Sequence, residues 1–184
     1  NATDSEANNP STGSATLDDT TGADDEDLVM PSFVVGIASS LSIPVTVPNS
    51  AFLVDGTARI NVFVDWNGNN VMDAGETMTA QSVTATGTRT FSITPPAGAQ
   101  GTRYLRIRLT EGTSSPTFSG ASTLKGEVED YAITVTCPTI ATLTLPDGVA
   151  GTAYSQGTAF DVTPVVSGFT WTATGLPSGM TFNS

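Results

Sequence analysis

The sequence predicts an all-β protein. No segment has the length and 3.6-residue periodicity of an amphipathic helix, whereas apolar residues alternate with polar ones in short runs. Gly, Pro, Ser and Thr are abundant between those runs, with 18 Gly and 11 Pro in 184 residues. Many short strands joined by turns satisfy that pattern.

Strand-like runs begin at Phe33 and cover 33–37, 42–47, 57–65, 77–84, 88–94, 103–110 and 129–136. Ile60, Val62 and Val64 share one face of their strand. Leu105, Ile107 and Leu109 do the same, with Tyr104, Arg106 and Arg108 opposite, and the arginines read as a solvated stripe. Tyr131, Ile133 and Val135 form a third inward row. Turn signals at Asp55-Gly56, at 95–98 and at Glu111-Gly112 separate the runs. Strands at this spacing point to an antiparallel β-sandwich of jelly-roll or Ig-like type.

The chain divides by composition into three parts. Residues 1–27 hold eight of the eighteen acids and no Lys or Arg, and read as an acidic N-terminal arm. Residues 28–137 carry the strand runs. Residues 138–184, after Thr136-Cys137-Pro138, start a second β pattern too short for a full sandwich of roughly 100 residues. The lone Cys137 has no internal partner, which leaves a small buried hydrophobe or an intermolecular disulfide.

Charge and composition exclude several functions. The formal charge of −12 repels nucleic acid and anionic membranes and suits divalent cations. No hydrophobic run has the length of a membrane-spanning helix, so membrane insertion is not expected. There is no His, which removes the commonest general base and most zinc and copper sites. With no nucleophile elbow or phosphate loop either, a non-enzymatic protein is expected. Asn1 is not Met, which fits a chain that begins after processing or one that is part of a longer polypeptide.

One segment carries chemistry. On the twelve-residue calcium-loop template, Asp65 falls at position 1, Asn67 at 3, Asn69 at 5, Val71 at 7, Asp73 at 9 and Glu76 at 12. Side-chain oxygens are wanted at most of these positions and a backbone carbonyl at the seventh, so Val71 is compatible. Position 6 normally takes Gly for a positive φ and here holds Asn70, the residue that next best tolerates that region. The run before the loop alternates as a strand, so this is a calcium loop without the flanking helices. A hairpin that holds no ion is the competing reading. Trp66 fits packing against the sheet better than stacking on a ligand.

Two further acidic groups stand out. Asp18, Asp19, Asp24, Asp25 and Asp27 crowd around Gly22 and read either as a solvated arm or as a second calcium site. Glu127 and Glu129 face one side of a strand and Asp130 the other. A salt bridge to Arg103, Arg106 or Arg108 fits them, as does a calcium site; acid/base catalysis lacks an evident cleft.

Gly126-Glu127-Val128-Glu129-Asp130-Tyr131, with the strand that follows it, resembles the signature of the GEVED domain family. The acidic entry at 18–27 and the loop from Val64 to Ala74-Gly75-Glu76 are similar to the same family. The resemblance implies a secreted β-sandwich from large multidomain proteins of bacterial cell surfaces, with calcium binding inferred. From about Ile140, the pieces Gly151-Thr152-Ala153-Tyr154-Ser155 and Gly175-Leu176-Pro177-Ser178-Gly179-Met180 resemble the start of an Ig-like module of bacterial surface proteins. The expected function is therefore a secreted, calcium-stabilised structural or adhesive module of a bacterial cell-surface protein or extracellular filament. Its partners would be neighbouring domains or further copies of the chain, self-assembling by strand complementation into an oligomer or polymer. A calcium-dependent carbohydrate-binding module is the alternative, with Trp66, Trp171 and Tyr104 as candidate glycan contacts.

Overall fold

The computed structural model describes residues 28–47, 53, 55–118, 126–140, 147–153, 162–163, 174–176 and 178–179. Among the described residues there is no helix, so none is long and apolar enough to cross a membrane. The strands are β1 (Phe33–Val34), β2 (Ser39–Val45), β3 (Ala58–Asp65), β4 (Gln81–Val83), β5 (Gly87–Ile93), β6 (Gly101–Glu111), β7 (Gly126–Thr136), β8 (Thr139–Ile140) and β9 (Val162–Thr163).

The chain splits into two compact units, Asn1–Cys137 and Pro138–Ser184. In the first, a five-stranded sheet has the order β1-β7-β6-β3-β4, and β2 and β5 form a second, two-stranded sheet. Pairing is antiparallel except at one edge, where Phe33 and Val34 run parallel to Val135 and Thr136. Alternation reports which face a residue takes but not which way its neighbour runs, so the parallel pair departs from the antiparallel expectation. The short β1 ends where Gly36 adopts a φ of 78° and donates its N–H to the Pro95 carbonyl. In the second unit, β8 pairs antiparallel with β9.

Both sheets of the first unit contribute to one core. Leu41, Ile43 and Val45 of β2 and Phe91 and Ile93 of β5 join Ile60, Val62 and Val64 of β3, Leu105, Ile107 and Leu109 of β6, and Ile133 and Val135 of β7. The inner rows read from the alternation are thus the core. Tyr131 packs against the same cluster while half-buried.

The outer face of the large sheet is covered too. Phe63, Arg106 and Asp130 lie side by side across β3, β6 and β7. The segment after β6 folds back over them. Phe118 meets Phe63 edge-on, with ring centroids 5.8 Å apart, and lies 4.9 Å from the Arg106 guanidinium. Arg106 and Arg108 are 2% and 4% exposed, so the expectation of a solvated arginine stripe is corrected. Their charge is accommodated because Arg106 grips Asp130 with two bonds of 2.6 Å and donates to the Phe118 carbonyl, while Arg108 donates to that of Thr117. Burial, then the neighbouring Arg106, lowers the Arg108 pKa from its usual value. Cys137 is exposed, which corrects the buried-hydrophobe reading: it follows the last residue of β7, beyond the core row.

Candidate functional site

β3 delivers the loop 65–76. The strand carries its pairing through Asp65, and the chain comes back so that Val64 donates to the Glu76 carbonyl at 2.8 Å and Met78 to that of Val62 at 2.9 Å. Phe63 and Thr77 bridge below. The loop is thereby closed at a stem that belongs to the sheet. Arg103 adds a second tie, donating at 2.6 Å to the Trp66 carbonyl and at 3.2 Å to that of Gly98. Trp66 itself is 3% exposed and part of the core, consistent with packing against the sheet.

Two buried carboxylates organise the loop backbone. Asp65, 1% exposed, accepts from Gly68 (2.7 Å), Asn69 (3.2 Å) and Asn70 (2.8 Å). Glu76, 4% exposed, accepts from Trp66 (2.9 Å), Asn67 (3.3 Å) and Asp73 (2.8 Å). A turn this tight leaves its N–H groups without strand partners, and a carboxylate can serve several at once. Asn67 and Asn69 each fold into an Asx turn, their side-chain oxygens accepting from Asn69 and Val71 at 2.9 and 2.8 Å. Asn70, at the position that usually takes Gly, has a φ of 64°; Gly68 and Gly75 have φ of 72° and 91°.

Asp73 completes the ring from outside. Its Oδ2 accepts from the Asn67 and Asn69 side-chain amides, both at 2.8 Å. Those bonds, first Asn67 and then Asn69, lower its pKa from the ordinary aspartate value, and the carboxyl therefore stays ionised into more acidic solution. Among the described residues, no group of three or more acidic, Cys or His side chains is arranged as it stands to hold a metal ion. The reason is visible in the bonding: Asp65 and Glu76 turn toward backbone N–H groups, and Asp73 is engaged by two amides. The donor set is nevertheless all oxygen, and a carboxylate with two oxygens and about four acceptor sites keeps capacity beyond the bonds it makes here. The residue types fit a hard cation, provided the Asn67 and Asn69 amides release Asp73.

Of the other candidate acidic groups, Glu127, Glu129 and Asp130 lie along β7 and do not join this loop. Asp18, Asp19, Asp24, Asp25 and Asp27 lie outside the described residues. Glu127 and Glu129 stand opposite Leu109 and Ile107, on the core side of the sheet, whereas Asp130 stands opposite Arg106 on the outer side. The Asp130 side chain is 1% exposed and both its oxygens bind Arg106. Glu127, Glu129 and Asp130 therefore do not form one ligand set, and the salt-bridge reading holds for Asp130. Two contributors escaped the sequence reading: Arg103 as the tie to Trp66, and Phe118 as the cover over Arg106. Alternation places Arg103 on the inner side of β6, but nothing in the spacing brings it to the loop.

No curated protein and no solved structure matches the chain. A family model does, over residues 59–134. Those residues run from the start of β3 nearly to the end of β7 and so include both the loop 65–76 and the six-residue signature 126–131. The model that matches over that stretch is the GEVED domain.

Proposed function

We propose that this chain is a secreted, calcium-stabilised structural or adhesive module of a bacterial cell-surface protein or extracellular filament, with no catalytic role. Its first unit is a β-sandwich of jelly-roll or Ig-like type and its second an incomplete Ig-like sandwich open to strand complementation by a neighbouring copy or domain. The observation that carries the proposal is the loop 65–76. It has oxygen donors at the calcium-loop spacing, two of them buried carboxylates held rigidly at the end of a core strand. Asp65, Asn67, Asn69, Asp73 and Glu76 would hold the ion by side-chain oxygens, with Val71 offering its carbonyl. Bound there, calcium would supply two positive charges against the three carboxylates and tie the loop ends together. The role is structural because the loop grows out of a sheet and no moving helix pair flanks it. The carbohydrate-binding alternative loses one of its three candidate aromatics, since Trp66 is buried and offers no stacking face.

Calorimetry tests the proposal directly. An ion at about a hundred times its Kd adds about 2.7 kcal/mol to the native state, which moves the melting temperature by several degrees. Full chain in calcium is therefore expected to melt several degrees higher than in excess chelator. Equal melting temperatures would remove calcium from the proposal. Sedimentation of the same samples tests self-assembly: a chain that stays monomeric at every concentration has no filament role of its own.

A further inference from the structure

Asn67-Gly68 is the one Asn-Gly pair in the chain, and it sits at the exposed tip of the loop. Asn is a thermolabile residue. Before Gly its side chain is open to attack, because no Cβ shields the following nitrogen. The Gly68 backbone nitrogen, losing its proton to solvent base, bonds to Cγ of Asn67. The bond from Cγ to Nδ2 breaks and ammonia leaves. Water then opens the resulting cyclic imide at either carbonyl, leaving aspartate or isoaspartate at position 67. The balance is amide plus water giving acid plus ammonia.

The hydrogen bonds of the loop oppose each part of that step. The Gly68 N–H that must be deprotonated donates to the Asp65 carboxylate at 2.7 Å, and the negative charge there disfavours an amide anion. The Asn67 side chain is held at both ends, its oxygen by the Asn69 N–H at 2.9 Å and its nitrogen by Asp73 at 2.8 Å. Attack requires these bonds to open together.

We infer that Asn67-Gly68 is a site of spontaneous deamidation that the folded loop holds in check. Its rate follows the fraction of time the loop is open. A hydrogen bond to a charged group contributes about 1.5–3 kcal/mol, so loss of one raises the open fraction by about tenfold or more. The product then loosens what protected it. A carboxylate at position 67 replaces the amide donor that Asp73 accepts from, and two negative groups face each other. Isoaspartate also lengthens the backbone beside Gly68, whose φ of 72° the turn depends on. The first event thus marks a loop that will not close again in the same way.

The experiment keeps chelator in every sample, so that its result does not depend on calcium binding. Full chain is incubated at mildly alkaline pH in three forms: native, native Asp65→Asn, and wild type in concentrated urea. Peptide mapping with isoaspartate detection follows conversion at position 67. The urea sample is expected to convert fastest and the native chain slowest, with Asp65→Asn about tenfold faster than native. Equal rates in native and urea samples overturn the inference, as does a folded Asp65→Asn chain that converts no faster than wild type. If Asp65→Asn does not fold, the comparison of wild type in the native state and in urea decides alone.

Discussion

Gly126 opens the signature hexapeptide for a steric reason. A Cβ built there would run into the carbonyl oxygen of Leu109 and would lie 3.0 Å from its carbon and 3.1 Å from the Thr110 Cα. All three are backbone atoms of β6, which cannot step aside as a side-chain tip can. The requirement is for space, since Gly126 is not among the glycines with positive φ. Gly126→Ala is accordingly expected to push the start of β7 off β6 and to destabilise the first unit by about 1–3 kcal/mol, the usual cost of overpacking. Urea unfolding measures it; an unchanged midpoint would mean that the pairing of β7 with β6 begins later in the chain. At the same scale, the tight turn of 65–76 was legible from its Asn and Gly content and spacing. Asn70 accordingly takes the positive φ that its position requires. The use of Asp65 and Glu76 as acceptors for six backbone N–H groups was not legible. A carboxylate at the right spacing looks the same in sequence whether it binds a cation or caps a turn.

β6 shows what alternation can and cannot reveal about an element. Its two rows, Leu105, Ile107 and Leu109 against Arg106 and Arg108, were correctly assigned to opposite faces. The fate of the second row depended on where the chain goes after β6, and periodicity within a strand holds no information on that. With Phe118 folded over it, Arg106 lost its water and needed a fixed partner. β7 supplies Asp130 directly opposite. The two side chains are 2% and 1% exposed. Removing one partner of such a pair leaves a desolvated charge, at a cost of about 3–5 kcal/mol, whereas replacing both by apolar residues of similar size is often close to neutral. Asp130→Ala is therefore expected to lower unfolding free energy by about 3–5 kcal/mol, and Arg106→Met with Asp130→Leu to recover most of it. Urea titrations of the single and double variants measure both. A mild loss in the single variant would show that water reaches Arg106.

On the scale of the whole first unit, the two sheets are joined by side chains as well as by the core. Gln81 of β4 donates to the Thr90 carbonyl of β5 at 2.7 Å, and Arg89 of β5 to the Ser82 carbonyl of β4 at 3.0 Å. A two-stranded sheet standing alone is marginal in water, so β2 and β5 depend on what they pack against. Leu41, in the middle of β2, is 0% exposed and belongs to the same cluster as Val62 and Ile107 on the large sheet. Truncating it to Ala removes buried methyl groups and leaves a cavity, which costs about 2–5 kcal/mol. The decisive question is where that loss appears. If the sheets form one cooperative unit, every slowly exchanging amide reports the same global free energy. Leu41→Ala should then lower hydrogen-exchange protection in β3 and β6 by the same amount as in β2 and β5. If β2 and β5 open on their own, protection should fall there while the slowest amides of β3 and β6 keep their wild-type rates. The shared core favours the first outcome, because opening the small sheet would expose Val62, Leu105 and Ile107 to water along with Leu41.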